Sequence, residues 1–320
     1  MPAEVATGNS GHVHETGWYG SDEEFRALIL PWVEQGVRAG EPVVIGYDER
    51  KAALLRLWLP DSSGVTFVAD RSLYATPARA IATYRRMFER ELARGAQRIR
   101  IAGDVPHPGN GGDFHGWDRY ESAINRVWDD FPVWSRCLYH TPTTPAAVRD
   151  IVTRTHPFIL TDSGESRAND RYEDISTFRG LPTHADPITM STPPVAELRD
   201  PTPTEARQAL GRVGRGVIND DTLDELMLGV SEAVTNAQLH GGSATSVRVW
   251  AVPGRVTAHI LDTGSGTRDP LAGLTAAPAS ATGAGLGLWI THQLDLIVDL
   301  LHTPEGFTVQ LIAKDITTAA

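Results

Sequence analysis

Apolar and polar positions in the first 140 residues switch between a helical period and short apolar runs. Residues 22–39 place Phe25, Leu28, Ile29, Trp32 and Val33 at helical spacing. Pro31 is expected to bend or interrupt that helix, because it removes a backbone donor and crowds the preceding turn. Gly40 can end it. The runs at 42–48 (PVVIGYD), 65–70, 98–105 and 135–140 read as strands, and 49–59, 77–94 and 117–130 as helices, with 107–116 a loop. Along 77–94, Ala80, Ile81, Tyr84, Met87, Phe88 and Leu92 share one side. Strands separated by helices predict a mainly parallel sheet with helices on both faces.

Residues 181–203 break this rhythm. They are proline-rich without a sustained helical period, which predicts an extended linker, or a first strand of the next domain around Val195 and Leu198. The pattern resumes with a helix over 204–218, carrying Ala206, Leu210, Val213 and Val217 on one face and capped by Thr202 or Thr204. The strongest helical signal in the chain is 221–241. Strands follow at 246–252 and 255–261 around a Pro-Gly turn, then a Gly/Ala-rich loop, a helix at 286–295, and strands at 297–303 and 307–313. Helices followed by antiparallel strands predict an α/β sandwich with helices on one face of the sheet and a wetter opposite face.

Composition narrows the class. A chain of 320 residues suits two domains. With 41% hydrophobic and 22% charged residues it is neither a disordered nor a fibrous sequence. A net charge of −11 argues against tracking a nucleic-acid backbone. The single cysteine, Cys137, can form no intrachain disulfide and no zinc ribbon, which fits a reducing cytoplasm. The N-terminal stretch lacks the basic and apolar regions of a signal peptide, and no apolar run reaches the roughly 20 residues that span a bilayer. A cytoplasmic location is expected.

Three clusters in the second half carry candidate chemistry. Glu232, Asn236 and His240 recur every four residues on the 221–241 helix, opposite Leu226, Met227, Val230, Ala233, Val234 and Ala237. Such a stripe commonly faces solvent. Alternatively Asn236 offers an amide oxygen to a hard cation such as Mg²⁺, and Glu232, one turn earlier, accepts a proton from an attacking hydroxyl. Asp262-Thr-Gly264-Ser-Gly266 follows a strand. It is either a simple turn, or a carboxylate aimed at an exocyclic amine with glycines that let backbone approach a base. Gly283, Gly285, Leu286 and Gly287 open a helix, a place where free N–H groups attract phosphate. The spacing is neither a Rossmann fingerprint nor a P-loop.

In this order, SEAVTNAQLHG, DTGSG and GAGLGLWI resemble the N box and two glycine boxes of the Bergerat-fold (GHKL) ATPases. Over roughly 195–315 the chain is similar to the anti-sigma-factor serine kinases of that superfamily. The resemblance implies that ATP is bound with Mg²⁺ held by Asn236, that Glu232 is the catalytic base and that Asp262 reads adenine. Gly264, Gly266, Gly283, Gly285, Leu286 and Gly287 would shape the pocket and its lid. It also implies a sigma factor and an anti-anti-sigma (STAS) protein as partners, and a homodimer. The lid, PLAGLTAAPASATGAG, is poor in basic residues, which leaves phosphate charge to Mg²⁺, the helix N-terminus or a residue such as Arg268. Two alternatives stay open: a nucleotide-gated binding protein without kinase activity, and an atypical sensor histidine kinase. The latter needs an acceptor histidine on a helical hairpin before the ATPase domain, where this chain has a proline-rich stretch and only His184.

The first half offers less. His12 and His14 alternate as on a strand and share a face; a metal site with Cys137 or His115 is conceivable beside ordinary polar histidines. Tyr120, Glu121 and Asn125 share a helix face that meets either a ligand or water. Trp18, Trp32, Trp117, Trp128 and Trp134 are expected in the core. GEPVVIGYDE (40–49), WDRYESAIN (117–125), CLYH (137–140) and THPFIL (155–160) resemble the MEDS sensory domain, which implies signal sensing by residues 1–180 ahead of a linker (181–203) and the ATP-binding domain (204–320).

Overall fold

A computed structural model describes residues 11–59, 64–68, 74–181, 185–242, 244–276 and 286–315. The chain divides into two compact units, 1–181 and 182–320. Among the described residues no helix is long and apolar enough to cross a membrane.

The first unit runs β1 (Val13–Tyr19), α1 (Asp22–Arg38), β2 (Val43–Gly46), α2 (Glu49–Trp58), β3 (Val65–Phe67), α3 (Pro77–Ala93), β4 (Ile99–Gly103), α4 (Trp117–Val127), β5 (Val133–His140), α5 (Ala146–Thr155), β6 (Phe158–Leu160) and β7 (Ser166–Ala168). The strands lie side by side in the order β3-β2-β4-β5-β1-β6-β7. All described pairings are parallel except β6 with β7. Of the five tryptophans expected inside, Trp32, Trp117 and Trp128 are buried, and Trp18 and Trp134 partly so.

Helix α1 runs through Pro31 without interruption. Its apolar face (Phe25, Leu28, Ile29, Trp32, Val33) is fully engaged in the core. On either side of the proline, buried arginines supply donors: Arg136 Nη1 to the Leu28 carbonyl at 2.6 Å and Arg100 Nη1 to the Trp32 carbonyl at 2.7 Å. These bonds, with the buried apolar face, anchor the helix on both sides of the proline.

The second unit runs α6 (Pro187–Ser191), β8 (Ala196–Arg199), α7 (Pro203–Gly214), α8 (Asp220–His240), β9 (Thr245–Val252), β10 (Arg255–Asp262), α9 (Leu286–Gln293), β11 (Ile297–Thr303) and β12 (Gly306–Lys314). Its sheet has the order β11-β12-β10-β9-β8, every described pairing antiparallel. Alternate strand residues (Val247, Val249, Val256, Ala258, Ile260, Leu311) meet Leu210, Leu226, Val230 and Val234 of α7 and α8 in one core. The opposite sheet face is polar. There the Asp186 N–H donates to Gln310 Oε1 at 2.7 Å, and its carboxylate accepts from Thr257 at 2.6 Å and pairs with Arg255. Residues 186–199 therefore fold back onto the sheet, with 196–199 as its edge strand, rather than running as an extended tether.

Helix α8, which carries the candidate stripe, is fixed at its start. Asn219 accepts from the Thr222 N–H at 2.9 Å, while its amide donates to Asp315 at 2.8 Å. Asn219→Ala should cost about 1 kcal/mol of stability, the usual worth of such a cap. Urea unfolding checks it, with nucleotide affinity expected to stay unchanged.

Candidate functional site

The α8 stripe is not a solvated face. Leu226, Val230, Ala233, Val234 and Ala237 point into the core. Glu232 and Asn236 are half-buried, and only His240 is exposed. Their cover is the start of α9. A Cβ built on Gly287 would lie 2.6 Å from Glu232 Oε2 and 3.0 Å from Asn236 Nδ2. Gly287 is thus the close approach that seats α9 over both polar side chains, and Thr291 Oγ1 secures that turn by donating to the Gly287 carbonyl at 2.8 Å.

Asp262 ends β10 on the core-facing side, two residues beyond Ile260, because strand side chains alternate. It is 6% exposed. Its Oδ1 accepts the Gly264 N–H at 2.7 Å, an Asx-type turn that orients the carboxylate. A Cβ on Gly264 would lie 2.7 Å from that oxygen, and one on Gly241 2.7 Å from Asp262 Cγ. Gly241 directly follows α8, so the Asp262 carboxylate sits at the C-terminal end of the helix that carries Glu232 and Asn236. Sequence reading passed over Gly241 as a site residue; a glycine just past a long helix was the available signal.

The remaining expected residues divide. Gly266 adopts a left-handed φ of 65° against the Phe307 ring. Leu286, the first residue of α9, is 46% exposed, and Arg268 is exposed. Gly283 and Gly285 lie outside the described residues. The structure therefore joins Glu232, Asn236 and Gly287 in one group and Asp262, Gly264 and Gly241 in a second, linked through α8. The half-buried Asn236 amide offers an oxygen suited to a hard cation, with the Glu232 carboxylate one turn away.

Gly287→Ala separates packing from chemistry. The atom in its way is the free end of Glu232, which can rotate aside, and alanine favours helix by about 1 kcal/mol over glycine. Unchanged or higher thermal stability is expected, with nucleotide affinity about tenfold weaker, or roughly 1.4 kcal/mol, by calorimetry.

In the first unit, polar groups gather where β2 and β4 end, the edge at which open α/β sheets take ligands. Lys51 Nζ donates to Asp104 Oδ2 at 2.7 Å, with His107 Nε2 at 3.7 Å and Asn110 Nδ2 at 3.2 Å from the same oxygen. Burial opposes a charge on Asp104, but the Lys51 ammonium and His107 outweigh it and hold the carboxyl below its ordinary range. His115 is exposed, and the metal-capable group around Cys137 does not include it. The thiol instead faces His14 Nε2 at 3.6 Å.

Comparison with known proteins agrees with this division. Residues 13–157 match the MEDS family (methanogen/methylotroph, DcmR sensory domain), and residues 197–313 match the histidine kinase-like ATPase domain family. A solved structure, the histidine kinase domain of the E. coli osmosensor EnvZ, aligns at 16% identity over 40% of this chain and 92% of that chain, with a TM-score of 0.24. No curated protein matches. The chain is thus a MEDS domain fused to a histidine kinase-like ATPase domain of the GHKL type.

Proposed function

We propose that the chain is an ATP-dependent regulator of sigma-factor control. Its first unit senses a signal; its second binds ATP, sequesters a sigma factor, and phosphorylates a Ser or Thr of an anti-anti-sigma (STAS) partner. The reading rests on one observation: Gly287 seats α9 on Glu232 and Asn236 of α8, while α8 itself ends against the buried Asp262. A carboxylate fixed by the Gly264 N–H accepts the adenine amine. Asn236 would hold Mg²⁺, which supplies charge neutralisation on the phosphates when bound. Glu232 takes the proton of the partner's hydroxyl as that oxygen bonds to the γ-phosphorus and the bond to the ADP oxygen breaks. Such transfer is mainly positioning and electrostatics. The active species is a homodimer in the cytoplasm.

Partners captured from native cytoplasm and incubated with labelled ATP test this directly. Acid-stable phosphate on a partner Ser or Thr supports the kinase. ATP-dependent capture without transfer makes the chain a nucleotide-gated binder. Acid-labile phosphate on the chain itself would make it a histidine kinase. That reading is disfavoured by the described part of residues 185–199, where α6 spans five residues and β8 is an edge strand. His184 lies outside the described residues.

A further inference from the structure

We infer that the first unit holds a divalent transition-metal ion, of the zinc class, between His14, Glu121, Cys137 and His156. The four residues come from β1, α4, β5 and the end of α5, and their ligand atoms all lie within 4.8 Å of one another. His14 Nε2 is 3.6 Å from Cys137 Sγ and 3.4 Å from Glu121 Oε2, and His156 Nε2 is 3.7 Å from that same oxygen. Atoms about 2.0–2.3 Å from a tetrahedral ion stand roughly 3.3–3.7 Å apart, so the spacing suits four ligands around one centre.

The surroundings leave lone pairs, not protons, pointing inward. The Val152 carbonyl can only accept, so the proton of His156 is on Nδ1, 2.7 Å away, and Nε2 is bare. The Asn125 amide nitrogen donates to the carbonyls of Thr155, Glu121 and Ser122, which turns its oxygen to His14 Nδ1 at 2.9 Å. That oxygen accepts, so His14 also presents a bare Nε2. The Tyr139 hydroxyl donates to Glu121 Oε1 at 2.6 Å, which leaves Oε2 facing the imidazoles. Glu121 Oε2 and His156 Nε2 are buried with no hydrogen-bond partner, and Glu121 and His156 are 1% and 0% exposed. The Cys137 thiol can serve His14 Nε2, but Glu121 Oε2 and His156 Nε2 converge with no donor between them, which is costly unless a cation sits among them.

A second ring nitrogen held by a carbonyl or amide oxygen is the usual support of a metal-bound histidine. Two imidazoles, a carboxylate and a thiolate form a mixed set that favours zinc-like ions over Mg²⁺ or Ca²⁺.

The test uses the full chain, stripped with chelator and kept in millimolar Mg²⁺ so that the nucleotide site does not compete. Co²⁺ should bind one per chain, with a thiolate-to-cobalt charge-transfer band and intense tetrahedral visible bands, both displaced by Zn²⁺. Cys137 is the chain's single cysteine, so the band reports this site alone. Cys137→Ser should abolish the band, His156→Gln should weaken binding at least 100-fold, and Asn125→Ala 10–100-fold. His115→Gln should change nothing. The wild-type arm decides even where a buried variant fails to fold: Zn²⁺ should raise its melting temperature and chelator reverse the rise. Wild-type protein without the thiolate band or stoichiometric Zn²⁺ would overturn the assignment. So would undiminished binding in a folded His14→Gln/His156→Gln chain.

Discussion

Glu232→Ala is expected to bind ATP as the wild type does and to lose 10²–10⁴-fold in phosphate transfer to a partner hydroxyl. That range is the contribution of a positioned general base, about 3–5.5 kcal/mol of barrier. The side chain is half-buried on α8, and its Oε2 lies beside Gly287. Removing it opens no core cavity, because the core-facing residues of α8 are Leu226, Val230, Val234 and their neighbours. Melting temperature should therefore hold while turnover falls. Calorimetry with ATP and single-turnover transfer of labelled phosphate measure the two halves. A variant that transfers phosphate at the wild-type rate would remove Glu232 from the chemistry. If it also keeps partner control in cells, the nucleotide-gated binder becomes the better account.

Asp262→Asn should do the reverse and weaken nucleotide uptake itself. Asparagine can still accept the Gly264 N–H, so the turn that Asp262 makes is kept. Its second atom becomes an NH₂ group that faces the adenine amine, donor against donor. Losing a charge-assisted hydrogen bond in a buried place costs about 1.5–3 kcal/mol, or roughly 10–150-fold in affinity. Near-native near-ultraviolet circular dichroism should accompany the loss. Equal affinity in the variant would show that the carboxylate reads no base.

The two units differ in how far they could be read from the chain. In the second, local periodicity was enough: α8 and the strands around the Pro-Gly turn bury the faces that their spacing marks, and Glu232, Asn236 and Asp262 sit in short, ordered motifs. What no spacing reveals is that Gly287 lies against Glu232 and Asn236, since that contact joins residues some 50 positions apart. In the first unit β1 was legible only as the strand-like alternation of His12 and His14, not as an element with bounds. A central parallel strand buried on both faces usually reads as an apolar run. This one carries His14, Glu15 and Thr16, all fully buried. Their burial is compensated from elsewhere: Arg136 Nε donates to Glu15 Oε1 at 2.6 Å, and Thr16 Oγ1 to the Cys137 carbonyl at 2.9 Å. Helix α5 and strands β6 and β7 are short and were passed over. Glu121 and Asn125 were seen as one helix face, but whether that face met water or a ligand depended on β1, β5 and α5 closing over it. Residues 186–199 resembled a tether because prolines dominate them; the Asp186 contacts that hold them to the sheet are tertiary.

The central claim is that a buried carboxylate and a side-chain amide on neighbouring elements form one adenine-nucleotide pocket. Titrating the purified full chain with ATP and with GTP in millimolar Mg²⁺ tests it most directly. One ATP per chain, with GTP rejected because its six-position oxygen offers Asp262 no donor, is the predicted result. No uptake of ATP, or equal uptake of both nucleotides, would contradict it.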